Sequence, residues 1–258
     1  MRIAGVIPAR LSSTRLSRKV LREIAGRPMV EWVWRAAAAS GLMDPVVVAT
    51  DSEEVADVCR ERGIPVAMTS KECPSGSDRV REVARTLDAD VYVNIQGDEP
   101  TLTAEFFPPL LELFERPEVE VATLAVECRR EEWGNPNAVK VVTALDGRAL
   151  YFSRATIPFD REGVGGGAVA SAGMSVSVNA GFSGYRKHLG IYAYRKAALE
   201  RFAALPVSPL ERIEKLEQLR LLVNGIALYV AEAPRDTIGV DTEEDLKRAE
   251  KQLLASSC

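Results

Sequence analysis

Short apolar runs alternate with amphipathic stretches through the first half of this chain, and that rhythm leaves few folds open. Residues 3–7, 46–49, 66–68 and 91–95 read as strands. Between them, residues 29–40 carry Val30, Val33, Trp34 and Ala37 on one helical face and stop at Gly41. Ser52 is placed to cap a helix over 53–62, with acids in its first turn and Gly63 as its stop. Ser77 or Asp78 starts a further helix that runs to Leu87. Strand–helix–strand repetition of this kind builds an α/β fold, a mainly parallel sheet covered by helices. Each parallel strand then delivers its following loop to one sheet edge, where open α/β sheets bind ligands.

The second half is less regular. Residues 119–126, 139–143, 189–194 and 226–231 look like strands, and 209–224 like one helix with a stripe of Ile213, Leu216, Leu219 and Leu222. Thr242 caps a last helix over 243–254. Residues 163–184 are rich in Gly, Ala and Ser and almost free of charge, a composition that suits a mobile loop or lid and equally an idle surface loop. No internal repeat and no sharp domain boundary is visible.

Charge narrows the partners. Lys plus Arg number 33 against 37 Asp plus Glu, a net charge of −4, so there is no global basic footprint and nucleic acid is not expected. An anionic small molecule must instead meet local positive clusters. The cysteines at 59, 73, 128 and 258 form no CxxC pair, which suits reduced thiols in a cytoplasm. Met1 leads directly into the first strand, and no apolar stretch nears membrane-spanning length, so neither a signal peptide nor a membrane partner is expected.

One such cluster follows the first strand. Val6 to Lys19 ends a strand at Pro8, then sets small hydroxyl residues between Arg10 and Arg15, with Arg18 and Lys19 beyond. Small residues let backbone N–H groups approach an anion, and guanidinium forks match phosphate oxygens in pairs. A polyphosphate such as a nucleoside triphosphate fits; a solvated basic loop has the same composition. Neither GxxxxGK[ST] nor GxGxxG occurs. The strand at 91–95 ends in Gln96-Gly97-Asp98-Glu99-Pro100, an acid at a strand tip where a magnesium ligand would stand, although Gly, Asp and Pro also make ordinary turns. Gly97 permits close approach by a nucleotide. Asp241, before the last helix, is a second acid for the metal or simply a capping residue.

Blocks of sequence occur in a telling order: Val6-Ile-Pro-Ala-Arg10, Ala49-Thr-Asp51, Ser75-Gly-Ser-Asp-Arg79, Asn94-Ile-Gln-Gly-Asp-Glu-Pro100, Asn135-Pro-Asn-Ala-Val-Lys140, Tyr151-Phe-Ser-Arg-Ala-Thr-Ile-Pro158, His188-Leu-Gly-Ile-Tyr192, Leu216-Glu-Gln-Leu-Arg220 and Gly239-Val-Asp-Thr242. Across nearly its whole length the chain resembles the 3-deoxy-manno-octulosonate cytidylyltransferase (CMP-Kdo synthetase) family. The resemblance implies a nucleotide-diphospho-sugar transferase-like fold, Rossmann-like, with helices on both sheet faces. Within a single domain, residues 1–130 and 225–258 would form the nucleotide-binding core, and 131–224 a smaller sugar-binding and dimerisation lobe. It implies CTP and Kdo as substrates, CMP-Kdo and pyrophosphate as products for lipopolysaccharide synthesis, Mg²⁺ as cofactor, and a homodimer.

Carried over by position, the family's phosphate loop lands on Arg10, Ser13, Arg15 and Lys19, and its cytidine contacts on Ser75, Gly76, Arg79 and Gln96. The metal carboxylates land on Asp98 and Asp241, which with Lys19 make the catalytic set. The sugar pocket lands on Arg154, His188, Tyr192, Glu217 and Gln218. Arg154 suits a bidentate pair with the sugar carboxylate. His188, the only histidine, also suits a satisfied structural imidazole. The chain departs from the family in two places: Ser17, Arg18, Lys19 and Val20 stand where Pro-Gly-Lys-Pro is usual, removing two conformational restraints and adding a cation, and the 163–184 segment is longer and less charged than the family leads one to expect, so the resemblance implies no lid there. Transfer to 8-amino-Kdo or another acid sugar, and a non-catalytic nucleotide-binding regulator, are the rival readings. A sialic-type substrate is disfavoured, since those members usually have a Gly-Gly-Ser-Lys-like run where this chain has Leu11-Ser-Ser-Thr-Arg15.

Overall fold

The first strands are buried at nearly every position because both faces of the sheet are covered. The computed structural model describes residues 1–11, 16–161 and 184–256. Its elements in chain order are β1 (Ile3–Pro8), β2 (Glu23–Ile24), β3 (Arg27–Pro28), α1 (Met29–Ala39), β4 (Val46–Thr50), α2 (Glu53–Glu61), β5 (Val66–Met68), α3 (Gly76–Ala84) and β6 (Val91–Asn94). They continue with α4 (Phe107–Glu112), β7 (Val121–Glu127), β8 (Lys140–Thr143), β9 (Ala149–Ser153), β10 (Arg186–Arg195), α5 (Lys196–Ala204), α6 (Pro209–Glu214), α7 (Leu219–Val223), β11 (Leu228–Glu232) and α8 (Glu243–Ser256). Ile7, Val48 and Val93 point into a core shared with Val30, Val33, Val55 and Phe107 of α1, α2 and α4. Val6, Val47 and Tyr92 point into the opposite core, against Val83, Leu199 and Leu219 of α3, α5 and α7. The period-2 alternation of strand side chains thus feeds two apolar layers. Each fully buried Val or Leu in them contributes about 1.5–3 kcal/mol.

The main sheet runs β11-β7-β10-β6-β1-β4-β5, with β8 on β10 and β9 on β8. On the main path the paired strands β6, β1, β4 and β5 are parallel, as are β7 and β11; β10 lies antiparallel between β6 and β7. The fold is therefore α/β with a mostly parallel sheet. β10 comes from the 131–224 stretch, so that stretch builds part of the main sheet. No helix among the described residues is long and apolar enough to cross a membrane.

Two local expectations are corrected, and one strand is added. Ser75 caps α3, accepting the Asp78 amide at 3.2 Å, so the helix starts earlier than a Ser77 or Asp78 cap implies, and it ends at Ala84. The stripe at 209–224 is not one helix: Lys215 takes a left-handed backbone at φ 55°, which ends α6 before α7 begins. Strand β9 was not anticipated. Except for Gly184, the segment 163–184 lies outside the described residues, as do Ser13 and Arg15.

Candidate functional site

Parallel strands place their carboxyl ends on one edge, and the reversed strand β10 brings its first residues to the same edge. Tyr192 pairs with Asn94 of β6, and His188 with Ala125 of β7. Gly190 lies beside Gln96; a methyl added there would meet Gln96 Cγ at 3.4 Å. Gly97 is required for a close approach within the protein. A methyl on it would stand 2.9 Å from the Pro8 carbonyl oxygen, so β1 itself demands glycine there.

Beside this contact three charges converge. Lys19 Nζ donates to Asp98 Oδ2 at 2.6 Å and to Asp241 Oδ1 at 2.9 Å. A backbone bond from Val240 N to Asp98 O, 2.9 Å, ties the two acid-bearing loops together. Thr242, not Asp241, caps α8, accepting the Asp245 amide at 3.2 Å. Burial pulls the Lys19 ammonium down, but the charges and hydrogen bonds of Asp98 and Asp241 outweigh it and hold its pKa above the ordinary value. Among the described residues no cluster of three or more His, Cys, Asp or Glu could enclose a metal. Two carboxylates aimed at one cation position suit instead a hard ion that takes its remaining oxygens from substrate and water.

The altered loop keeps a glycine-like bend. Arg18 takes the left-handed conformation, φ 54° and ψ 33°, which glycine enters freely, and its guanidinium pairs with Glu54 at the surface. Exposed pairs contribute little. Arg18→Gly is therefore expected to stabilise the protein, by about 1 kcal/mol; chemical denaturation checks this.

Asp98 and Asp241 open on a cleft of about 440 Å³ whose wall also includes Glu99, Asn137, Lys187 and His188. Burial, with the Asp98 charge beside it, pushes the Glu99 carboxyl up to about 7, and its Oε2 is buried with no hydrogen-bond partner among the described residues. Lys187 joins the cleft wall to Glu132 and Asp236 at 2.7 and 2.9 Å. The Thr123 hydroxyl donates to Ile191 O at 2.7 Å, so His188 Nε2, 3.0 Å away, is the donor to it and Nδ1 an acceptor. Burial pushes the imidazole down to about 3.

The unfolded chain therefore protonates His188 near pH 6.5 while the folded protein resists, and stability falls with pH below that point, by at most about 1.4 kcal/mol per unit. Glu99 titrates with the opposite sign, losing its contribution as pH rises through about 7. The difference between wild type and His188→Gln, from denaturant titrations across about pH 4.5–7, should isolate the imidazole's slope.

The remaining expected residues fall into neighbouring groups. Ser75 Oγ donates to Glu217 Oε1 at 2.7 Å, and Ser77 Oγ to Glu217 Oε2 at 3.2 Å, so one residue expected at the cytidine and one expected at the sugar are in direct contact. Burial raises the Glu217 carboxyl pKa against these hydrogen bonds. Gly76 abuts Pro8, and Gln218 is buried with Nε2 unpartnered among the described residues. Arg79 is wholly buried, its guanidinium bonded to Thr69 Oγ1 and 3.4 Å from Asp51, so it braces the β4 and β5 ends from behind. Arg10 donates to the Cys73 carbonyl. Arg154 donates to the carbonyls of Glu214 and Pro136, both at 2.8 Å, at the foot of the loop that carries Asn137.

Lys140, Lys187 and Glu99 went unassigned from the sequence. Lys140 is wholly buried and donates to the carbonyls of Asn135, Ala138 and Arg154 at 2.6–2.9 Å, fixing that loop to Arg154. Its membership of the Asn135–Lys140 block was the available signal; Glu99 had only its place beside Asp98.

A family model described as cytidylyltransferase matches residues 4–233. A 3-deoxy-manno-octulosonate cytidylyltransferase of Acidobacterium capsulatum is 61% identical over 98% of this chain and 97% of its own length. That of Koribacter versatilis is 54% identical over 96% and 89%. A solved CMP:2-keto-3-deoxy-manno-octonic acid synthetase, complexed with CTP, is similar over all of both chains, with 37% identity and a TM-score of 0.88.

Proposed function

The chain belongs to the cytidylyltransferase family, among the 3-deoxy-manno-octulosonate cytidylyltransferases, and on that premise we propose that it transfers CMP from CTP to Kdo, releasing pyrophosphate. The observation that carries this reading is the convergence of Lys19, Asp98 and Asp241 at the carboxyl edge of the sheet. In the reaction a sugar hydroxyl oxygen bonds to the α-phosphorus and gives up its proton to water as the α–β phosphoanhydride bond breaks, and pyrophosphate leaves with the electron pair. Magnesium, proposed for Asp98 and Asp241, supplies charge neutralisation at the α-phosphate when bound.

The chain's own groups do the rest. Arg10 and Lys19 hold the β- and γ-phosphates, with Ser13 and Arg15 assigned by family position alone. Ser75, Gly76 and Gln96 face the pyrimidine, with Arg79 behind them holding the ends of β4 and β5. Arg154 pairs with the Kdo carboxylate. Tyr192, whose phenol burial keeps protonated, donates to a sugar hydroxyl, and His188 Nδ1 accepts one. Glu217 and the unpartnered Gln218 Nε2 complete the sugar contacts. A second copy of the chain is the proposed partner, supported by exposed Leu210, Ile213, Val223 and Leu150 on the packed elements α6, α7 and β9. The proposed setting is the cytoplasm, with the product serving lipopolysaccharide synthesis. Pyrophosphate release with CTP, measured against Kdo, 8-amino-Kdo and a sialic acid, tests the reading. Kdo should give the fastest turnover, and equal rates with ATP in place of CTP would overturn it.

A further inference from the structure

The ammonium of Lys19 stands where a metal ion would be drawn. Its side chain is 14% exposed, whereas Asp98 and Asp241 are 32% and 42% exposed, so the lysine holds the acid pair from beneath while both acids open on the cleft. Its backbone is anchored: Arg22 N donates to Lys19 O at 3.1 Å, and Val20 next to it is buried. The side chain is flexible, with four carbons between this anchor and the charge. Nζ and a divalent cation both seek the carboxylate charge of the same two residues, and two cations there repel each other. A triphosphate entering over the β1 loop offers Nζ another anion.

We propose that Lys19 is an internal counter-ion that competes with the divalent cation for Asp98 and Asp241, and that the nucleotide's phosphates draw it away so that the metal site is completed only with nucleotide in place. This rests on reading the two acids as metal ligands. Coupling of this kind is reciprocal: whatever loosens Lys19 from the acids favours the metal, and the metal favours a lysine bound elsewhere.

Mn²⁺ alone, titrated into the full-length protein and followed by the electron paramagnetic resonance of the free ion, tests this. Lys19→Met should bind Mn²⁺ about tenfold more tightly than wild type, inside the usual span of coupled sites. Lys19→Gln, which keeps a hydrogen-bond donor without the charge, should do the same, and covers the case in which the methionine variant folds poorly. With saturating CTP the advantage should vanish, because the phosphates then hold the wild-type Nζ away from the acids; chelation by the nucleotide acts on all proteins alike and cannot itself remove the difference. Mn²⁺ affinity in both variants equal to or below that of wild type, with Asp98→Asn still abolishing binding, overturns the counter-ion role and leaves the metal reading standing. An advantage that persists undiminished with CTP overturns the nucleotide's part in the exchange. Unchanged Mn²⁺ binding in both Asp98→Asn and Asp241→Asn overturns the metal reading itself.

Discussion

Asp98→Asn is expected to lower turnover by about a thousandfold while the protein still folds. The substitution keeps the shape of the side chain and removes its negative charge. Asparagine can still accept a hydrogen bond from Lys19 through its carbonyl oxygen, and Asp241 still lies 2.9 Å from the same ammonium, so no charge is left unpaired. Because Asp98 is partly exposed and stands at a loop tip, the stability cost should stay near 1 kcal/mol. The chemistry has no such tolerance. A hard cation prefers anionic oxygen, and transition-state charge on a phosphoryl group is stabilised by groups fixed in advance. Pyrophosphate release, a thermal melt and Mn²⁺ binding together decide the matter. Near-normal turnover with intact folding would sink the assignment of Asp98 to the reacting phosphate.

The strands and the helices of the first half could be read from the sequence because their signals are local. The short apolar run Val46–Thr50 and the Ser52 cap of α2 depend on neighbours a few residues away. The place of β10 was not legible. Residues 189–194 read as a strand, but nothing in their pattern says that they enter antiparallel between β6 and β7, and that insertion is what carries His188 and Lys187 to the acids. The break at Lys215 was hidden for a similar reason. Ile213, Leu216, Leu219 and Leu222 keep helical spacing, and lysine gives no warning of a left-handed turn. Long-range bonds flank it: Glu214 accepts from the Ser153 hydroxyl at 2.6 Å, and Glu217 from Ser75 and Ser77. Asp98 and Asp241 could be singled out by their position at element ends. Their meeting over Lys19 is a property of the folded chain.

Gly97→Ala should cost about a hundredfold in kcat/KM and about 1–3 kcal/mol in stability, although it adds a single methyl. The backbone at Gly97 is not in the left-handed region, so alanine meets no conformational penalty of its own there. The cost is steric. The new methyl would lie 2.9 Å from Pro8 O, with Ile7 Cγ2 at 3.5 Å and Val20 Cγ1 at 3.7 Å closing the other sides. Pro8 is held by its pairing with Ala49, and the Ala9 amide donates to Ala49 O at 2.9 Å, so the carbonyl has little room to yield. The Gly97–Asp98 peptide must then shift outward. That shift strains the bond from Val240 N to Asp98 O and moves the Asp98 carboxylate relative to Lys19 and Asp241. A displacement of about 1 Å in a positioning group suffices for a hundredfold loss. Gly134→Ala is the control, since nothing lies within 4 Å of a methyl there, and it should be neutral to within about 0.5 kcal/mol. If Gly97→Ala loses stability but the folded enzyme turns over at the wild-type rate, glycine is needed there only for packing, and the contact between the β1 and β6 ends does not set the position of Asp98.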